Sequence, residues 1–237
     1  MGNENYRPRL IEKEINDSLK TVGAVSVEGP KGCGKTWCAR HLSKSEFSLT
    51  DPRQDYANRR IAQIDPSAVL EGDEPRLIDE WQDVPKIWDA VRFEVDREGR
   101  KGRFILCGSS SVDKGQIMHS GSLRISPVRM RTMSLYESGD SNGKISLADL
   151  FDGNFADTVV KGLSFQDIVA LIVRGGWPGM LDAEPDLASS ELSRYIINAC
   201  EIDAQKIGGK RRNVRGMLRT MRSLARNEST MASKAKI

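Results

Sequence analysis

The stretch that most constrains this chain is Gly29-Pro30-Lys31-Gly32-Cys33-Gly34-Lys35-Thr36. It fits the pattern G-x-x-x-x-G-K-[ST], and its flanks supply the context that the pattern needs. Ala24-Val25-Ser26-Val27-Glu28 reads as a short buried strand, and Trp37-Cys38-Ala39-Arg40-His41-Leu42 reads as a helix. Glycine at 29, 32 and 34 lets the backbone take left-handed or crowded conformations, so that successive N–H groups can turn inward as an anion cup. A helix beginning near Lys35 adds its positive dipole end. Lys35 brings a full charge for β- and γ-phosphates, and the Thr36 hydroxyl can ligate Mg²⁺. All eight residues, Gly29 to Thr36, are therefore expected to line the phosphates of a nucleotide, with Mg²⁺ beside them.

Arg76-Leu77-Ile78-Asp79-Glu80-Trp81 is the second anchor. A strand that runs into adjacent acids is what a Walker B element requires. Asp79 is expected to hold Mg²⁺ with Thr36, and Glu80 to orient and polarise the attacking water. Phe47-Ser48-Leu49-Thr50 and Arg103-Phe104-Ile105-Leu106-Cys107-Gly108-Ser109 read as further strands. The segment from Val84 to Val95 reads as a helix, with Pro85 in its first turn and Ile87, Trp88, Val91 and Val95 on one face. Strands alternating with helices predict a parallel sheet, whose carboxyl edge gathers ligands. Ser109 would emerge at that edge, within reach of the γ-phosphate.

Composition narrows the class. The chain has 237 residues, enough for one sizeable domain and a smaller one. Four cysteines without a CxxC pair and two histidines argue against a disulfide scaffold and against histidine-rich metal chemistry. No run approaches the roughly 18 apolar residues of a membrane span and the start lacks a signal-peptide core, so a cytoplasmic protein without membrane contact is expected. The net charge of +3 is uneven: residues 206 to 237 hold ten Lys or Arg and one acid, a net of +9, which leaves −6 for the rest. Asn213 to Arg226 reads as a helix with Val214, Met217, Leu218, Met221 and Leu224 on one side and Arg211, Arg215, Arg219, Arg222 and Arg226 on the other. That basic face could meet DNA phosphates, or it could be solvated or pair with the acidic remainder.

Residues 7 to 20 place Leu10, Ile11, Ile15 and Leu19 at helical spacing, a leader helix before the first strand. Glu137 to Gly143 is dense in turn formers, which sets an expected boundary between a core at 1–137 and a smaller helical region at 138–237. Ser164 caps a helix that ends at Gly175-Gly176 and Pro178. Arg124, Arg129 and Arg131 are candidates for a charge reaching the γ-phosphate, from the same chain or a neighbouring copy; Arg124 is the choice because it follows the fourth strand in a loop-like stretch.

The glycine loop, Leu77-Ile78-Asp79-Glu80-Trp81-Gln82, Phe104-Ile105-Leu106-Cys107-Gly108-Ser109-Ser110 and the stretch Met130 to Ser138 together resemble the prokaryotic AAA-type ATPases that carry a C-terminal domain of unknown function. The resemblance extends through Arg174-Gly175-Gly176-Trp177-Pro178 and beyond Tyr195. It implies an α/β fold, a P-loop NTPase parallel sheet flanked by helices and followed by a smaller helical, winged-helix-like region. It also implies ATP binding with hydrolysis, and Ser109 as the sensor of the γ-phosphate, with Cys107 standing where threonine is expected. Against that family, the chain is expected to stop inside the winged-helix-like region, before the later domain. Mg-dependent ATP hydrolysis by a protein able to form homo-oligomers is the leading expectation; the alternative is a nucleotide-dependent switch or DNA-binding regulator with little hydrolysis.

Overall fold

Alternation along short apolar strands sorts their side chains into two layers, and the sheet follows from it. The computed structural model describes residues 6–108, 117–154, 157–159, 162–204, 212–231 and 233. Five strands, β1 (Ala24–Glu28), β2 (Ser45–Ser48), β3 (Arg76–Asp79), β4 (Phe104–Gly108) and β5 (Ile125–Arg129), form one parallel sheet in the order β2-β3-β4-β1-β5. Ala24, Ile78, Phe104 and Leu106 face one layer. Val25, Val27, Leu77, Ile105 and Cys107 face the other.

The helices cover both faces. Among the described residues, α1 (Ile11–Leu19) and α2 (Lys35–Leu42) bury Ile15, Leu19, Cys38 and Ala39 against the second layer. α3 (Arg53–Ile64) and α4 (Lys86–Glu98) bury Ala62, Ile87, Trp88, Val91 and Val95 against the first. Within α3, Gln54, Asp55 and Tyr56 take left-handed φ values of 51° to 56°, so its first turn is not helical. The leader is tied down by Tyr6, which stacks on His41 of α2 with ring centroids 4.5 Å apart.

Two elements differ from the sequence expectation. β2 begins at Ser45 and ends at Ser48, two residues earlier than the apolar pattern suggests, because pairing with β3 sets its register and Ser48 lies opposite Asp79. Leu49 is still fully buried, and its N–H donates to the Asp79 carbonyl at 3.2 Å, which is why the pattern runs on. β5 has no counterpart in the sequence reading, which takes the stretch around Arg124 as loop-like; Pro127 sits in its middle. As the edge strand it needs no ladder donor on its open side, and there proline is tolerated.

After β5 come α5 (Leu135–Ser138), α6 (Leu147–Phe151) and α7 (Phe165–Arg174). Ser134 caps α5 in a capping box with Glu137, and Ser164 caps α7 in one with Asp167. The chain divides into two compact units, Met1–Asp182 and Ala183–Ile237. Residues 138–182 stay with the first unit through Arg7 Nη1 donating to the Ser138 carbonyl and the Met133 N–H donating to the Gly176 carbonyl, while the Arg174–Asp140 ion pair joins the end of α7 to the turn after α5. The second unit holds α8 (Pro185–Asn198) and α9 (Val214–Arg226), with Ala188 and Cys200 buried. No helix among the described residues is long and apolar enough to cross a membrane.

Candidate nucleotide site

Every strand of a parallel sheet ends at the same edge, so the residues that follow β1 and end β3 are brought together by topology alone. At that edge the loop leaves β1 at Glu28, and Gly32 (φ +81°) and Gly34 (φ +100°) take the left-handed conformations that favour glycine. A Cβ on Gly29 would overlap the Met130 carbonyl oxygen, so the absent side chain there is a matter of space. Lys35 opens α2 almost fully buried, and its Nζ donates to the Pro30 carbonyl at 3.0 Å, folding its charge over the loop. Thr36 Oγ1 donates to Asp79 Oδ1 at 3.0 Å, joining the loop to the end of β3. Cys107 lies beside them, its Sγ 4.0 Å from the Thr36 hydroxyl.

Asp79 is 5% exposed. Burial pushes its carboxyl above the usual range, the hydrogen bond from Thr36 works the other way, and the neighbouring charge of Glu80 raises it further. Glu80 has a left-handed φ of 56°, an uncommon place for a glutamate, and starts the short turn Trp81–Asp83. Its Oε2 accepts a hydrogen bond from Gln82 Nε2. The donor set suits Mg²⁺: one hydroxyl and one carboxylate already paired, leaving other positions for phosphate and water. Among the described residues no group of three or more His, Cys, Asp or Glu forms a cage of its own.

The loop is braced from behind by residues that motif reasoning missed. Arg9, 6% exposed, donates Nη1 to the Cys33 carbonyl at 2.8 Å, Nη2 to the Arg131 carbonyl at 2.9 Å and Nε to Glu137 at 3.0 Å. Glu137 also accepts the N–H of Leu10 at 2.8 Å and both the N–H and hydroxyl of Ser134 at 2.7 and 2.9 Å. Burial disfavours its ionised form, but these bonds from Ser134, Leu10 and Arg9 outweigh it and hold the carboxyl below its ordinary range. Trp177 packs on the same layer as the loop, and Pro178 lies against Gly34. No spacing rule links Arg9 to Glu137; the signal available was one arginine ahead of an apolar helix and a capping box far downstream. Gln82 stands two residues after Glu80, with Trp81 between them, and a polar side chain there was the available clue.

The other candidates fall elsewhere. Ser109 lies outside the described residues. Arg124 is not at this site: its carbonyl accepts the Ala24 N–H at 3.0 Å, which puts it at the amino edge of β1 and β5, and its side chain pairs with Asp96 of α4 at 2.6 Å. Five strand residues, roughly 16 Å at strand rise, separate that edge from the loop. The sequence could not show this, because the position of Arg124 depends on a strand masked by Pro127. Of the three arginines, Arg129 and Arg131 leave at the loop's edge, with Arg129 opposite Glu28. Arg174 pairs with Asp140 at 2.6 Å.

Parts of the chain are similar to known proteins. An AAA domain family matches residues 22–139. The chain is 31% identical over 140 residues to two uncharacterized proteins, Rv2008c of Mycobacterium tuberculosis and Mb2031c of Mycobacterium bovis. Each match takes in 56% of this chain and 31% of the relative's length, so the chain spans about a third of them. Among solved structures, RuvB of Thermotoga maritima is similar at TM-score 0.39 and 21% identity, covering 94% of this chain and 70% of that one. The Saccharomyces cerevisiae Hsp104–ADP complex is similar at TM-score 0.41 and 14% identity, covering 97% and 37%. The chain is thus a nucleotide-binding, ATPase-like protein whose residues 22–139 form a domain of the AAA family.

Proposed function

We propose that the chain binds Mg-ATP at the carboxyl edge of its sheet and hydrolyses it. The single observation that carries this is the Thr36 Oγ1–Asp79 Oδ1 contact of 3.0 Å, with Glu80 as the next residue. Gly29 to Gly34 would cradle the phosphates with backbone N–H groups, and Lys35 would neutralise the β- and γ-phosphates. Thr36 and Asp79 would hold Mg²⁺, which supplies Lewis-acid polarisation of the phosphate oxygens when bound. Glu80 would accept the proton of the attacking water. Titration of the protein with ATP, with and without Mg²⁺, tests the binding half. Wild type is expected to bind, and Lys35→Ala to bind at least about tenfold more weakly. Equal affinities would contradict the site.

Hydrolysis in this reading belongs to a homo-oligomer. Arg124, half exposed at the opposite edge, is assigned to a neighbouring copy's nucleotide rather than its own.

A second reading concerns α9. Arg215, Arg219 and Arg222 surround Leu218 along a groove of about 450 Å³, a surface suited to an anionic partner such as duplex DNA. Affinity for DNA that falls steeply as salt rises, and that drops when the three arginines become glutamine, supports it. No binding at low salt removes it.

A further inference from the structure

Gln82 sits two residues beyond the Walker B pair without a role in the chemistry above. Its Nε2 donates to Glu80 Oε2, so one carboxylate oxygen is held by the amide, while the left-handed backbone of Glu80 sets where that side chain leaves the turn. The other half of the Gln82 amide is pinned as well. Its Oε1 is buried and has no hydrogen-bond partner among the described residues. It lies against Gly108, the last residue of β4, so closely that a Cβ there would overlap it. That same Cβ would lie 3.1 Å from Trp81 Nε1, and Trp81 is 2% exposed and packed on Trp88 with centroids 4.9 Å apart. A buried amide oxygen left unpaired is costly, which makes this an unusual place for a residue that merely fills space.

We infer that Gln82 is the positioning residue of the site: it sets the Glu80 carboxylate from the end of β4, through Gly108. The inference rests on the hydrolytic reading of Glu80. A carboxylate that must accept a proton from a water in line with the phosphate tolerates little displacement; a misplacement of about 1 Å costs on the order of 10²-fold. Gly108 belongs to the same device. Its hydrogen leaves the amide its place, and the side-chain end of Gln82 can move aside if a methyl group arrives, so Gly108→Ala should fold yet displace the tether.

The test measures ATP affinity, single-turnover hydrolysis and melting temperature for wild type, Gln82→Ala, Gly108→Ala, Glu80→Gln and the Glu80→Gln/Gln82→Ala double variant. Gln82→Ala should lower kcat roughly tenfold to a hundredfold with ATP affinity held within about twofold, a split that general destabilisation does not produce. Gly108→Ala should give the same phenotype. Gln82→Ala should cost nothing further once Glu80 is glutamine, because the two act as one unit. Wild-type kcat in Gln82→Ala, or a full additional loss in the double variant, overturns the inference. Wild-type hydrolysis no greater than that of Lys35→Ala overturns the hydrolytic reading instead. In that case crystal structures of wild type and Gln82→Ala decide the tether: a Glu80 carboxylate displaced in the variant upholds it, and an unmoved one rejects it.

Discussion

Glycine 29 is invariant in the motif's arithmetic for conformational reasons, yet here the limit is a wall. The atoms that a Cβ would meet are the Met130 carbonyl and, at 3.3 Å, Cys33 Sγ, and the first is backbone fixed by the Met130 N–H bond to Glu28 at 2.7 Å. Gly29→Ala is therefore expected to lower stability by about 1–3 kcal/mol, read by denaturant unfolding, and to abolish ATP binding because the loop shifts as a whole. Unchanged stability and binding would show that the β5–loop contact is loose. Thr36 offers a finer probe. Its hydroxyl is the link to Asp79, so Thr36→Ala should weaken the Mg²⁺ dependence of ATP binding while leaving metal-free binding nearly as it was. Titrations of ATP at several Mg²⁺ concentrations check it.

The Arg9–Glu137 pair ties the leader before α1 to the segment after β5, with side chains 3% and 7% exposed. Removing one partner leaves a buried charge unmatched, so Arg9→Ala should cost roughly 3–5 kcal/mol. The pair also sets a pH dependence. Because the Glu137 carboxyl is held below its ordinary value, its contribution is present above the unfolded value of 4.5 and is lost as pH falls through the lower folded value. Unfolding followed from pH 7 down to 3 should show this loss, and Glu137→Gln, less stable throughout, should lose less over the same interval. Much of the element plan was legible. Ile11, Ile15 and Leu19 marked α1, and Asp79-Glu80 marked the end of β3, because helical spacing and a strand running into acids are local patterns. β5 was hidden by Pro127, whose meaning depends on whether a strand is an edge. The Arg9–Glu137 pair and the placement of Arg124 depend on which distant segments meet, and local spacing has nothing to say about that.

The candidate nucleotide site lies in the unit Met1–Asp182, and the arginine face of α9 lies in the unit Ala183–Ile237. If copies assemble so that Arg124 of one serves another's nucleotide, specific activity should rise with protein concentration and Arg124→Ala should flatten that rise. Turnover measured across a dilution series, beside sedimentation, checks both; constant specific activity would assign the chemistry to a single chain. In the proposed reaction Glu80 activates water beside a Mg²⁺ held by Thr36 and Asp79, whatever the assembly or partner. Glu80→Gln should bind ATP as wild type does and turn Mg-ATP over roughly 10²–10⁴-fold more slowly; wild-type turnover in that variant removes Glu80 from the chemistry.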